Sequence, residues 1–253
     1  VAEVSRLDPE KIAPLTGSIF RELNEQARAF NAMLRGLRRL EIHVPRRLLE
    51  RLMTAGVESE MATEARIVTV MFTDIVAFTR YSGDRSAAQV AAFLNRHFAM
   101  VAEAVEAEGG TVDKFIGDSV MAFWGAPEAQ PDHAERAVRA TRAIAVALAT
   151  LNARRQEESK PPIRMRIGLH GGPVAVGNIG APGRMNYTIV GDAVNTANRV
   201  EQIAKTIMVP EENICGLASD AVIHALDEDS VAEPVGEFHV PGRFEPARIY
   251  RLA

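Results

Sequence analysis

Along residues 18–40, Leu23, Ala27, Phe30, Leu34 and Leu37 recur in alternating steps of four and three. That is the narrow apolar seam of a helix that pairs with another helix. The same spacing also suits an amphipathic helix lying on its own domain. Pro45 breaks the pattern, "RRLLERLM" adds a short helix, and the polar stretch "TAGVESEMATEA" at 54–65 reads as a hinge. The period then changes. Residues 66–76, "RIVTVMFTDIV", are a β-rich apolar run of strand type. The reading is a helical segment over 1–50, a linker over 51–64 and a globular domain over 65–253.

A helix follows, because Ser86 and Gln89 make a capping box and Leu94, Phe98, Val101 and Val105 line one face. Gly109 and Gly110 stop it. The short runs "TVDKFI" and "SVMAFWG", joined by Gly117 and Asp118, predict a hairpin. A second helix follows Pro131, with Ala137, Ile144, Leu148 and Leu151 on one face, and "NARRQEESKPP" is a loop. "IRMRIGLHGGPVAVGNIG" then reads as two strands around Gly171 and Gly172, and "NICGLAS" as another strand. After Gly191 a helix begins with Asp192 near its N-cap and buries Ala193, Ala197, Val200 and Ala204, with Asn195, Arg199 and Gln202 on another face. Strand, helix, hairpin, helix, strand makes an α+β domain with helices on one side of a mostly antiparallel sheet.

Composition adds exclusions. With 253 residues, 47% hydrophobic and 25% charged, the chain is ordinary for a globular protein. A formal net charge of −4 offers no basic field for nucleic acid. The single cysteine, Cys215, excludes an internal disulfide, reads as core and fits a reducing compartment. The longest apolar run, "AIAVALATL", is far short of the roughly 20 residues a bilayer needs, and no signal peptide is present, so no membrane contact is expected of this piece. It opens on Val1 rather than methionine, which reads as a fragment of something longer.

The candidate chemistry lies in two similar phrases, "VMFTDIVAFT", with Asp74, and "DKFIGDSVMAFWGA", with Asp118 after Lys114, each otherwise largely apolar. The predicted topology brings the end of the first strand beside the central hairpin, so Asp74 and Asp118 would meet there. Neighbouring carboxylates repel, and a divalent cation held by hard oxygen ligands is the usual remedy. The turn "IVAFT" after Asp74 offers backbone N–H groups for phosphate. Alternatively each aspartate caps its own turn, and Asn195 with Arg199 is a solvated helix face.

"FTDIVAFT", "DKFIGDSVMAFWG", "RIGLHGGPVAVGNIG" and "YTIVGDAVNTANR", in that order, resemble the class III nucleotidyl cyclases over about residues 64–251. The resemblance implies a ferredoxin-like α+β fold and a head-to-tail homodimer whose two sites are each built from both subunits. It implies Asp74, Asp118 and the Ile75 carbonyl as ligands of two Mg²⁺ ions, with Mn²⁺ as a substitute. Phe78 and Thr79 would meet the triphosphate, Lys114 and Thr188 would read the purine, Asn195 would orient the ribose and Arg199 would meet the phosphates. On this reading Asp118 serves one site of the dimer while Lys114 of the same chain serves the other. A lysine donates to adenine N1 and a threonine hydroxyl can accept from the adenine amino group, so the set favours ATP. Threonine at 188 also resembles the subgroup that includes bicarbonate-responsive cyclases. The family's Val-Lys-Gly phrase is replaced by "HVPGRFEP", with Pro241 at the lysine position and Arg243 as the candidate substitute.

The expected activity is that of an adenylate cyclase, a phosphorus-oxygen lyase that makes 3′,5′-cyclic AMP and pyrophosphate from ATP in signal transduction. The alternatives are a diguanylate cyclase, against which the absence of "GGDEF" or "GGEEF" argues, and a catalytically silent relay or dimerisation module. "ARAFNAML" at 27–34 resembles the second helix of a HAMP signal-relay domain. That resemblance implies a cytoplasmic domain of a protein anchored in the inner membrane.

Overall fold

Alternation of buried and exposed positions begins at residue 64, in a computed structural model that describes residues 21–41, 63–181, 184–226, 232–239 and 246–252. The chain divides into two units, 1–62 and 63–253. In the first, α1 (Arg21–Glu41) is a helix with Ala27 and Leu34 buried and Phe30 half-buried, as the apolar seam predicts. The side chains of Leu23 and Leu37, the short helix "RRLLERLM" and residues 54–62 of the expected hinge lie outside the described residues.

In the second unit the chain runs β1 (Glu64–Ile75), α2 (Phe78–Gly83), α3 (Ala87–Ala107), β2 (Thr111–Ile116), β3 (Ser119–Trp124) and α4 (His133–Glu157). It continues with β4 (Met165–Ala181), β5 (Arg184–Val190), α5 (Asp192–Ile207), β6 (Ile214–Ser219), α6 (Asp220–Ile223), β7 (Ala232–Phe238) and β8 (Ala247–Leu252). The described strands form one eight-stranded sheet in the order β2-β3-β1-β4-β6-β8-β7, with β5 paired to the far half of β4. Only β4 and β6 run parallel; the other pairings are antiparallel. The α+β expectation holds.

Local signals explain the elements. The capping box of α3 is formed, with Gln89 N–H donating to Ser86 Oγ at 3.4 Å and Ser86 N–H donating to Gln89 Oε1 at 3.0 Å. Gly110 follows because a side chain there would strike the Trp124 ring at 2.6 Å. Met165, Ile167 and Leu169 of β4 join Met71 and Ile75 of β1 under Val101, Val105, Ile144 and Leu148 of α3 and α4. The expected single helical layer holds for α3 and α4. The later helix α5 covers the opposite face, where a Cβ on Gly168 would lie 2.2 Å from Glu201 N.

Besides the one-sided helical layer, which α5 breaks, a further expectation fails. Residues 165–181 are a single strand, with Gly171 and Gly172 paired in register to Thr69 and Val68. The glycines do not turn the chain; a Cβ on Gly172 would lie 3.1 Å from the Ala193 Cβ, so the absent side chain admits α5. Strands β5, β7 and β8 were not anticipated. β7 holds Pro234 and Gly236, tolerable because it is the edge strand of the sheet.

Candidate active site

Strand alternation puts Asp74 at the end of β1 on the α5 face, directly across the pairing from Arg166 of β4. Asp118 sits in the tight β2–β3 turn, which Gly117 makes possible with φ 64°. Its Oδ2 accepts from the Ile75 N–H at 3.2 Å, so the hairpin delivers this carboxylate to the residue after Asp74. Asp118 is thereby held one residue along the backbone from Asp74.

Two residues that sequence reasoning missed join them. Arg166 donates to Asp74 through one guanidinium nitrogen and to Glu201 of α5 through Nε at 2.8 Å. The Arg166 and Glu201 side chains are only 12% and 5% exposed, so each depends on the other to offset its desolvation. Arg166 thus pairs with two carboxylates, and Asp118 adds a third acid one residue along the backbone from Asp74, a local excess of negative charge of the kind that suits a hard cation. Among the described residues no group of three or more His, Cys, Asp or Glu side chains could hold a metal by itself. Asp74 and Asp118 would suit a divalent ion only if its other oxygens came from backbone, water and substrate. Glu201 was detectable as an acid at i+4 from Ala197 on the apolar stripe of α5, and Arg166 as a cation inside an apolar strand.

After Ile75 the chain turns through Ala77 in the left-handed conformation (φ 59°) into α2, which opens with Phe78 and Thr79. Phe78 is half-buried and stacks with Tyr81 and Phe93 at centroid distances of 6.3 and 6.4 Å, and Thr79 is exposed. Asn195 is exposed and Arg199 half-buried on the outer face of α5, while Ala193, Ala197, Val200 and Ala204 are buried as expected. Gly191 is the N-cap and Asp192 the first helical residue. Pro241 and Arg243 lie outside the described residues.

A second cluster joins β2 to β5. Lys114 Nζ donates to Thr188 Oγ1 at 3.2 Å, so the two candidate purine readers stand side by side. Between them is a third missed residue, Asp113. Its Oδ2 accepts from Thr188 Oγ1 at 2.7 Å and pairs with Lys114 Nζ at 3.2 Å. Burial raises the Asp113 pKa from its ordinary value, an effect that the hydrogen bond from Thr188 and the Lys114 charge partly offset.

Residues 60–252 match the family of adenylate and guanylate cyclase catalytic domains. Adenylate cyclase 1 of Rhizobium meliloti is 36% identical over 211 residues, 83% of this chain and 31% of that protein. The chain spans about a third to two fifths of the length of the first curated relatives it matches. Among solved structures, adenylyl cyclase CyaB from P. aeruginosa is 30% identical with a TM-score of 0.66, covering 76% of this chain and 96% of that one. The guanylyl cyclase Cya2 is 29% identical with a TM-score of 0.68, covering 76% and 94%. Likeness of fold therefore extends to cyclases of either purine, and the choice of base has to be argued from side chains.

Proposed function

Because the chain belongs to the adenylate and guanylate cyclase catalytic domain family, we propose that it is an adenylate cyclase, converting ATP to 3′,5′-cyclic AMP and pyrophosphate at sites shared between two copies. The observation that carries the choice of ATP is the pairing of Lys114 and Thr188 at 3.2 Å. An ammonium that only donates, beside a hydroxyl oxygen that can accept, is complementary to adenine N1 and its amino group. Guanine offers a protonated N1 and a carbonyl O6, the opposite polarity at both atoms.

Asp74 and Asp118, with the Ile75 carbonyl, would hold two Mg²⁺ or Mn²⁺ ions, which supply Lewis acidity toward the ribose 3′-OH and the phosphate oxygens. Arg166 orients the Asp74 carboxylate. Asn195 holds the ribose so that the 3′ oxygen faces the α-phosphorus in line with the departing pyrophosphate. Arg199 stabilises charge growing on the α-phosphate, a contact whose loss commonly costs about 10²–10³ in rate. Backbone N–H groups around Phe78 and Thr79, with Arg243 in place of the family's lysine, grip the remaining phosphates. Asn195, exposed, and Arg199, half-buried, both on the outer face of α5, suit a role in a site completed by a second chain.

Helix α1 is read as a HAMP-like signal-relay element of a longer, membrane-anchored protein whose cyclase domain lies in the cytoplasm. No helix among the described residues is long and apolar enough to cross a membrane. Incubation of the purified chain with ATP or GTP, in Mg²⁺ and in Mn²⁺, tests the activity. Cyclic AMP from ATP in large excess over any GTP product is expected. A cyclic guanine nucleotide as main product overturns the choice of base, and no product from either overturns the enzyme.

A further inference from the structure

The β2–β3 ladder is irregular at one place, where its register shifts between Val112 and Lys114 and leaves Asp113 as the extra residue. In a regular strand neighbouring side chains point to opposite faces. Here Asp113 and Lys114, adjacent in sequence, both reach the same hydroxyl, that of Thr188, at 2.7 and 3.2 Å. A bulge re-aims a side chain in this way, and bulges concentrate beside active sites. The Asp113 side chain is only 1% exposed, a costly location for a carboxylate that serves only local structure.

Resting on the adenine reading of Lys114 and Thr188, we propose that Asp113 is a positioning residue for base selection, fixing the Thr188 hydroxyl as a hydrogen-bond acceptor toward the purine. A hydroxyl has one proton and two lone-pair directions and ordinarily serves either polarity of partner. It would then accept the adenine amino group or donate to guanine O6 with little preference. An ionised carboxylate can only accept. At 2.7 Å Asp113 accepts the hydrogen bond donated by the Thr188 hydroxyl, and the Lys114 ammonium lies 3.2 Å from the same carboxylate oxygen. What Thr188 has left for a ligand is lone pair. A carbonyl O6 placed there faces oxygen against oxygen, while an amino group finds its acceptor. Lys114 donates to N1 whether or not the ring carries an amino group, so the effect of Asp113 separates from that of Lys114.

The test compares ATP with purine riboside 5′-triphosphate, which keeps N1 and lacks the 6-amino group. In wild-type protein kcat/KM for ATP should exceed that for the analogue. In Asp113→Ala the excess should shrink about tenfold, with turnover of the analogue little changed, because the freed hydroxyl no longer presents a fixed acceptor. Asp113→Asn, which keeps a carbonyl acceptor, should retain most of the preference. Asp113→Leu fills the space and replaces the alanine variant if the latter does not fold. A wild type that prefers GTP, or that treats ATP and the analogue alike, refutes the adenine reading itself. A wild type that prefers ATP, with Ala or Leu variants losing ATP and analogue activity by the same factor, overturns the role of Asp113 alone.

Discussion

At Asp74 one carboxylate answers to two demands, an ion pair with Arg166 and, on the proposed mechanism, a place in the metal site. Its replacement by asparagine keeps the shape and removes the charge, and Arg166 is not stranded because Glu201 still pairs with it at 2.8 Å. Asp118 stands in a turn and contributes no core volume, so Asp118→Asn spares the fold as well. Both variants should melt close to wild type by circular dichroism and lose cyclisation by about 10²–10³-fold or more. Mg²⁺-dependent turnover near wild type in either would remove these carboxylates from the metal site. The contrast is the buried Glu201, where a change strands the guanidinium edge of Arg166 and is felt first in stability.

At the scale of elements, the site depends on how closely α5 lies on β4. Gly168 is the contact point, and a Cβ there would come within 2.7 Å of the Ala197 carbonyl oxygen and 2.2 Å of Glu201 N. Both are backbone atoms, so a rotamer change gives no relief and the helix must lift. Gly168→Ala should therefore cost about 1–3 kcal/mol, read as a lowered melting temperature, and should depress kcat more than the loss of folded protein explains, since α5 carries Asn195 and Arg199. An alanine variant with unchanged stability and turnover would show that the helix is free to move outward without consequence. The long helices α1, α3, α4 and α5 were legible in sequence, because 3.6-residue periodicity, the Ser86–Gln89 box and stop signals are local, whereas the short α2 and α6 were not. The hairpin carrying Lys114 and Asp118 was legible for the same reason. Arg166 and Glu201 escaped because their meaning lies in partners 92 and 35 residues distant. The Gly171–Gly172 pair misled because a residue that breaks strands is also one that lets a helix approach them, and only packing distinguishes the two. Asp113 escaped because a bulge leaves no mark in a pattern of polar and apolar positions.

For the whole molecule, the described surface of the cyclase unit exposes Ile67, Phe115, Ile116, Met185 and Val190, each at 50–67% of its area. Phe115 and Ile116 lie on the hairpin that bears Asp113, Lys114 and Asp118, while Met185 and Val190 flank Thr188 on β5. Large apolar side chains beside polar working residues are what an interface between copies requires. If each site takes Asp74 and Asp118 from one chain and Lys114, Thr188, Asn195 and Arg199 from the other, damage on the two sides is complementary. An Asp74→Ala chain and an Arg199→Ala chain should each be inactive alone. Mixed in equal amounts and allowed to exchange, about half the dimers carry both kinds of chain, and each of these has one undamaged site of its two. Activity should then recover to about a quarter of wild type for random pairing in a symmetric dimer. Subunit exchange is followed independently by pulling down a tag present on only one of the chains. Exchange proven by the tag with no recovered cyclisation would place all of these residues in a site within one chain, with the apolar hairpin and β5 left to serve some other contact.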